Sequence, residues 1–218
     1  YLVLILAIDT STPTLVTGLV RDGVTVAERI LPKCREQEER LVPCVQECLA
    51  EADATFQDIT AIVVGCGPGP FTGLRVGMAT AAAFGDALGV PVHGVCSLDA
   101  IAARIDAPTV LVTTDARRRE VYWARYQDGR RVEGPGVQPP SESFPQAHMV
   151  NVPEHLADKL SIESVQRVDL DPSPASLVAV ADLDSLPQPL VPLYLRRPDV
   201  KEPKPKPPSS AVPDVEWQ

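Results

Sequence analysis

The chain has 218 residues, 44% hydrophobic and 22% charged, the make-up of a folded protein with a real core. Its net charge of −9 argues against a stand-alone nucleic-acid binder, since affinity for a phosphate backbone needs a basic face. The longest apolar run, "LVLILAI" at residues 2–8, is strand-sized and far short of the roughly 18 residues that cross a bilayer. No basic stretch precedes it and no small-residue cleavage site follows, so no signal peptide is expected. The five cysteines, at 34, 44, 48, 66 and 96, are odd in number and lack CxxC spacing. They read as reduced thiols of a cytoplasmic protein.

"YLVLILAID" ends in Asp9 and has the continuous apolar pattern of a central strand buried on both faces. "TLVTGLV" and "VTVAERI" follow, joined through Asp22-Gly23, a tight-turn signal that completes a three-strand meander. From Arg35 the period changes: Leu41, Val45, Cys48 and Ala52 recur at four, three and four, one apolar stripe on a helix. Pro43 lies inside that run. A mid-helix proline costs about 3 kcal/mol, so a kink or a start near Arg40 is expected. Next come the strand "AIVVG", a glycine-rich loop, a helix from about Thr72 to Leu88, the strand "PVHGVCS", and a helix with Ser97 as N-cap. The order βββ–α–β–α–β–α is the ribonuclease-H-like topology.

The second half repeats the opening. With Asp115 placed beneath Asp9, Asp128-Gly129 falls beneath Asp22-Gly23, the signature of an internal duplication. The expected fold class is α/β, two ribonuclease-H-like lobes as in actin-like (ASKHA) proteins, the second reduced to short pieces separated by prolines. The expected division is 1–106 for the first lobe, 107–200 for the second, and 201–218 for a disordered Pro/Lys-rich tail.

The loop "GCGPGPFTGLRVG" resembles a phosphate cradle, but Leu74 and Arg75 follow Gly73 where the phosphate-loop lysine and hydroxyl would stand. Pro70 occupies the third glycine of the dinucleotide pattern. Pro68 and Pro70 also lack the N–H groups from which an anion cradle is made. "AIDTST" supplies the Asp and hydroxyls of an actin-like phosphate turn, yet "TTDARRRE" has no matching glycine, so only half a nucleotide site is present. His93, His148 and His155 are scattered, so neither a metallopeptidase nor a His-activated nucleophile can be assembled. In the helix after the loop, Gly73, Gly77, Ala81 and Gly85 make one face nearly bare. Periodicity leaves open whether the chain's own elements or another chain's helix meets that face.

"ILAIDTSTPTLVTGLV", "ERLVP", "GCGPGPFTGLRVGMATA", "GVCSLDAIA", "TDARRREVYWARY" and "PLYLRRPD" together resemble the TsaB (YeaZ) family, in its actinobacterial form. The resemblance implies a cytoplasmic protein with no catalytic residue, metal or cofactor of its own. It implies binding and activation of the TsaD transferase, which forms N6-threonylcarbamoyladenosine at position 37 of tRNA. The ATPase TsaE is implied as a further partner, with homodimerisation when alone, contact with tRNA only through the complex, and no membrane association. The family's pairing helices fall on Leu41, Val45 and Cys48 and on Leu74, Gly77, Met78 and Ala81. Asp9, Thr10 and Ser11 become a vestigial phosphate turn. A charge at Met78 or Val45 is then expected to weaken pairing without unfolding the chain. Gln37-Glu38 and Pro70 depart from the family's usual residues. The alternatives are a stand-alone actin-like ATPase or peptidase-related enzyme, and a purely homodimeric structural protein.

Overall fold

The computed structural model describes residues 3–162 and 166–196. The tail expected at 201–218 lies outside the described residues. Among the described residues, two five-stranded sheets organise the fold. The first contains β1 (Leu4–Asp9), β2 (Leu15–Arg21), β3 (Val24–Leu31), β4 (Ile59–Gly65) and β5 (Val92–Val95), in the order β3-β2-β1-β4-β5. The second contains β6 (Thr109–Asp115), β7 (Val121–Gln127), β8 (Arg130–Gln138), β9 (Met149–Asn151) and β10 (Gln166–Val168), in the order β10-β9-β6-β7-β8. The two orders are the same pattern. Each sheet starts with an antiparallel meander and grows by parallel strands beside its first, β4 on β1 and β9 on β6.

The hairpin turns repeat as well. Asp22 and Gly23 take φ of 51° and 77°, and Asp128 and Gly129 take 48° and 73°. Two successive positive φ values match the right-handed strand twist, which is why Asp-Gly serves in both places. β1 is buried along its whole length, as its unbroken apolar run requires.

Helices α1 (Gln37–Glu51) and α2 (Phe71–Leu88) cover one face of the first sheet and share its main core with Leu4, Leu6, Ile8 and Ile62. α1 starts three residues before Arg40 and continues through Pro43. Pro43 and Glu39 are both exposed, so the Glu39 carbonyl that loses its intrahelical donor faces solvent rather than core. α3 (Ser97–Ala102) bridges the sheets: Ala100 packs with the first, Leu98 and Ile101 with the second. α4 (Pro174–Ala179) follows β10 in sequence but lays Leu177 and Val178 on the first sheet. The second sheet carries a 3-10 turn, Glu154–Leu156, where the first has α2. Among the described residues, no helix is long and apolar enough to cross a membrane.

Candidate functional site

The turn after β1 faces the start of α2 and the start of α3. Asp9 is fully buried. Its Oδ1 accepts from the Ser11 amide at 2.8 Å and the Ser11 hydroxyl at 2.6 Å, and its Oδ2 accepts from the Ser97 hydroxyl at 2.5 Å. Ser97 is thus not the N-cap of α3. That position is Cys96, and the Ser97 hydroxyl is committed to Asp9 across the sheet. Gly65 makes room for the contact, because a Cβ there would lie 1.8 Å from Asp9 Oδ2.

Burial pushes the Asp9 carboxyl above the usual carboxylate range, opposed by its hydrogen bonds from Ser11 and Ser97 and reinforced by the nearby charge of Asp171. A carboxyl raised by folding contributes stability that is full below its unfolded pKa and is lost as pH rises toward its folded value. Asp9→Asn is therefore expected to flatten the fall in stability above pH 3.8, read as urea midpoints across the acid-to-neutral range. An unchanged pH profile would show that Asp9 is not the group responsible.

Thr10 closes the turn onto α2. Its hydroxyl donates to the Gly73 carbonyl at 2.7 Å and accepts from the Gly77 amide at 3.0 Å. These two groups are an i, i+4 pair, so a side chain from β1's end sits across the helix ladder. The bare helix face exists for this approach: a Cβ on Gly73 would stand 2.5 Å from the Thr10 carbonyl oxygen, and one on Gly77 2.4 Å from the Thr10 hydroxyl. The face left open by periodicity meets the chain's own turn.

The seven residues expected at a partner interface fall on the sheet-facing sides of α1 and α2. Leu41, Val45, Cys48, Leu74, Gly77, Met78 and Ala81 are all buried within the monomer. Their side of each helix packs on the first sheet. The outward faces present Val42 and Gln46 on α1, and Ala79, Ala82 and Ala83 on α2. An apolar stripe identifies a buried side but not what buries it. Gln37 donates from Nε2 to the Thr12 carbonyl at 2.9 Å, so it anchors the start of α1 to the same turn. Pro70 is the N-cap of α2 and makes no side-chain cap. In the glycine-rich loop, burial pushes the Cys66 thiol up to about 12, which leaves almost no thiolate at neutral pH.

A cleft of 790 Å³ opens between the lobes. Thr10, Thr12 and the first turn of α2 form one wall, and Ala116 to Arg118 with Tyr122 form the other. Sequence reasoning missed the second wall. Arg117, Arg118 and Arg119 have φ of 60°, 51° and 63°, left-handed values that side chains seldom adopt in succession. The turn is held by the Asp115 carboxylate, which accepts from the Arg117 amide at 2.6 Å, and by the Ala116 amide bonding the Glu120 carbonyl at 3.0 Å. The available signal was the arginine triplet in the duplicated place of Ser11–Pro13.

Two matched sheets around an inter-lobe cleft define an actin-like duplicated α/β protein. A family model described as TsaD, tRNA N6-adenosine threonylcarbamoyltransferase, matches residues 26–168. An uncharacterized protein of Mycobacterium tuberculosis is 53% identical over 201 residues, spanning 90% of this chain and 93% of that protein. The Escherichia coli tRNA threonylcarbamoyladenosine biosynthesis protein TsaB is 39% identical over 128 residues, covering 56% of this chain and 54% of that one. A Pseudomonas aeruginosa crystal structure described as similar to peptidase YEAZ superposes with a TM-score of 0.71 at 27% identity, covering 87% of this chain and all of that one. The chain belongs to the TsaB/YeaZ family.

Proposed function

We propose that this chain is a non-catalytic subunit that binds and activates the TsaD transferase, in the cytoplasm, for threonylcarbamoyladenosine formation at position 37 of tRNA. The observation that carries the non-catalytic part is the state of the vestigial turn. The groups an actin-like enzyme would aim at a nucleotide are already hydrogen-bonded inside the fold: Asp9 to Ser11 and Ser97, Thr10 to Gly73 and Gly77. A carboxylate with no exposure cannot hold a metal or a water for attack.

Family membership supports the partner. The docking surface in this reading uses the two helices whose place the family resemblance assigned, but through their outward faces, with Val42, Ala79, Ala82 and Ala83 at its centre. Small residues there let a helix approach closely, and the same faces would pair two copies when the transferase is absent. TsaE joins the assembled pair in this reading.

Mixing the full chain with its TsaD partner tests the reading. A co-eluting heterodimer is expected, together with restored threonylcarbamoyl-tRNA in a strain lacking this subunit. ATP turnover by the purified chain, lost in Asp9→Ala, would refute the non-catalytic assignment. Failure to form the heterodimer would refute the partner. Ala82→Glu should remain folded and lose co-elution, because its carboxylate would be desolvated without a partner.

A further inference from the structure

The inter-lobe cleft has a charge unlike the rest of the molecule. Among the described residues, its lining contains five basic side chains, Lys33, Arg35, Arg117, Arg118 and Arg196, against one acidic, Glu38. The whole chain has the opposite balance, 29 acidic residues against 20 basic. Among the described residues, the side chains of Lys33, Arg35 and Arg117 face no carboxylate within ion-pair distance. Arg196 differs, bound to Glu120 at 2.8 Å and to the Ala116 carbonyl at 2.9 Å, and so braces the arginine turn. Uncompensated cations gathered at one concavity of an acidic protein set up a local positive potential.

The rim adds an aromatic platform. Phe71 is 41% exposed and Tyr194 37%, and their rings stack with centroids 5.1 Å apart. The Arg75 guanidinium covers Phe71 at 3.8 Å. Flat faces beside clustered cations are the two components of single-strand recognition: bases stack on the rings while phosphates follow the charges. The left-handed turn over Arg117–Arg119 places Arg117 and Arg118 in the cleft lining at a conformational cost, a pattern associated with binding sites.

We propose that the cleft binds a short single-stranded nucleic-acid segment, with its phosphates on Lys33, Arg35 and Arg117 and a base against the Phe71–Tyr194 pair. The inference concerns this chain alone and stands apart from its pairing with a transferase. It revises the expectation, drawn from net charge and from the family resemblance, that the chain meets tRNA only through a complex.

Fluorescence anisotropy of the full chain with labelled oligouridylate and oligothymidylate of roughly eight nucleotides tests it. Binding is expected to weaken with salt at a slope of about −0.7 per phosphate contacted. Arg117→Glu and Arg35→Glu should each weaken binding by about tenfold, and Phe71→Ala by about fivefold. Arg119→Glu makes the same charge change in the same turn but outside the cleft lining, and should alter affinity by less than about twofold. The ratio of the two oligonucleotides' affinities tells RNA from DNA as the source. Circular dichroism confirms that each variant is folded. No binding at low salt overturns the proposal, as does equal weakening by Arg119→Glu. So does displacement by a mononucleotide at matched concentration, which would make the cleft a mononucleotide pocket.

Discussion

Replacing Val45 by glutamate is expected to destabilise the isolated chain by several kcal/mol, not merely to weaken partner binding. Val45 has no exposure, and it lies in a core built from Leu41, Cys48, Leu49, Leu74 and Ile62. Arg29, whose charge reaches the neighbouring Cys44 and Cys48, is already bound to Glu47 and Glu51. Leaving a charge buried and unpaired costs about 3–5 kcal/mol or more, against a total stability of about 5–15 kcal/mol for a domain. The same change at Ala82, on the outward face of α2, should leave the urea transition of the isolated chain within about 0.5 kcal/mol of the parent. A folded, monomeric Val45→Glu chain that has merely lost its partner would mean that the stripe Leu41/Val45/Cys48 faces outward after all.

The second expectation concerns Gly77 and turns on its sign. On a helix face open to solvent or to a partner, Gly77→Ala would stabilise the isolated chain by about 1 kcal/mol through helix propensity. Here the new methyl would stand 2.4 Å from the Thr10 hydroxyl, which is itself held by the Gly73 carbonyl at 2.7 Å. Overpacking plus loss of a buried hydrogen bond should instead destabilise by about 3 kcal/mol. A double-mutant cycle isolates the contact. In a Thr10→Ala background the obstructing oxygen is gone, so Gly77→Ala should cost far less, with a coupling of about 1–3 kcal/mol. Additive effects would show that the glycine is not there to admit Thr10.

These two cases mark where the sequence could be read and where it could not. Local rules were enough for the meanders, since Asp-Gly demands a positive-φ turn and an apolar run ending in Asp9 demands a central strand. The duplication followed from aligning those turns, and the shared strand order of both sheets bears it out. Helical stripes were legible as stripes. Their direction was not, because a side that packs on a sheet and a side that packs on another molecule obey the same period. α4 returns to the first sheet although it follows the second in the chain, a non-local choice for which "PASLVAVAD" holds no signal. Pro43 permits a continuous helix only because its side of α1 is wet. At the site, the hydroxyls of "DTST" were visible as chemistry, but the lobe-internal groups that already hold them, Gly73, Gly77 and Ser97, lie 63 to 88 residues away. The arginine turn escaped notice because φ > 0 is ordinarily sought at glycine and asparagine.

The Thr10 hydroxyl lying across the α2 ladder also bears on how this chain could change. A lineage that replaced Pro68 and Pro70 would recover backbone donors in the loop and still have no nucleotide turn. Thr10 would remain tied to the helix, Asp9 to two serines, and Gly65 would remain the only residue type that fits beside them. Each single step back breaks a satisfied interior contact before any ligand exists to compensate it. On the non-catalytic reading proposed above, opening the turn to a nucleotide would need several substitutions at once, and the interlock would work as a one-way ratchet on the first lobe.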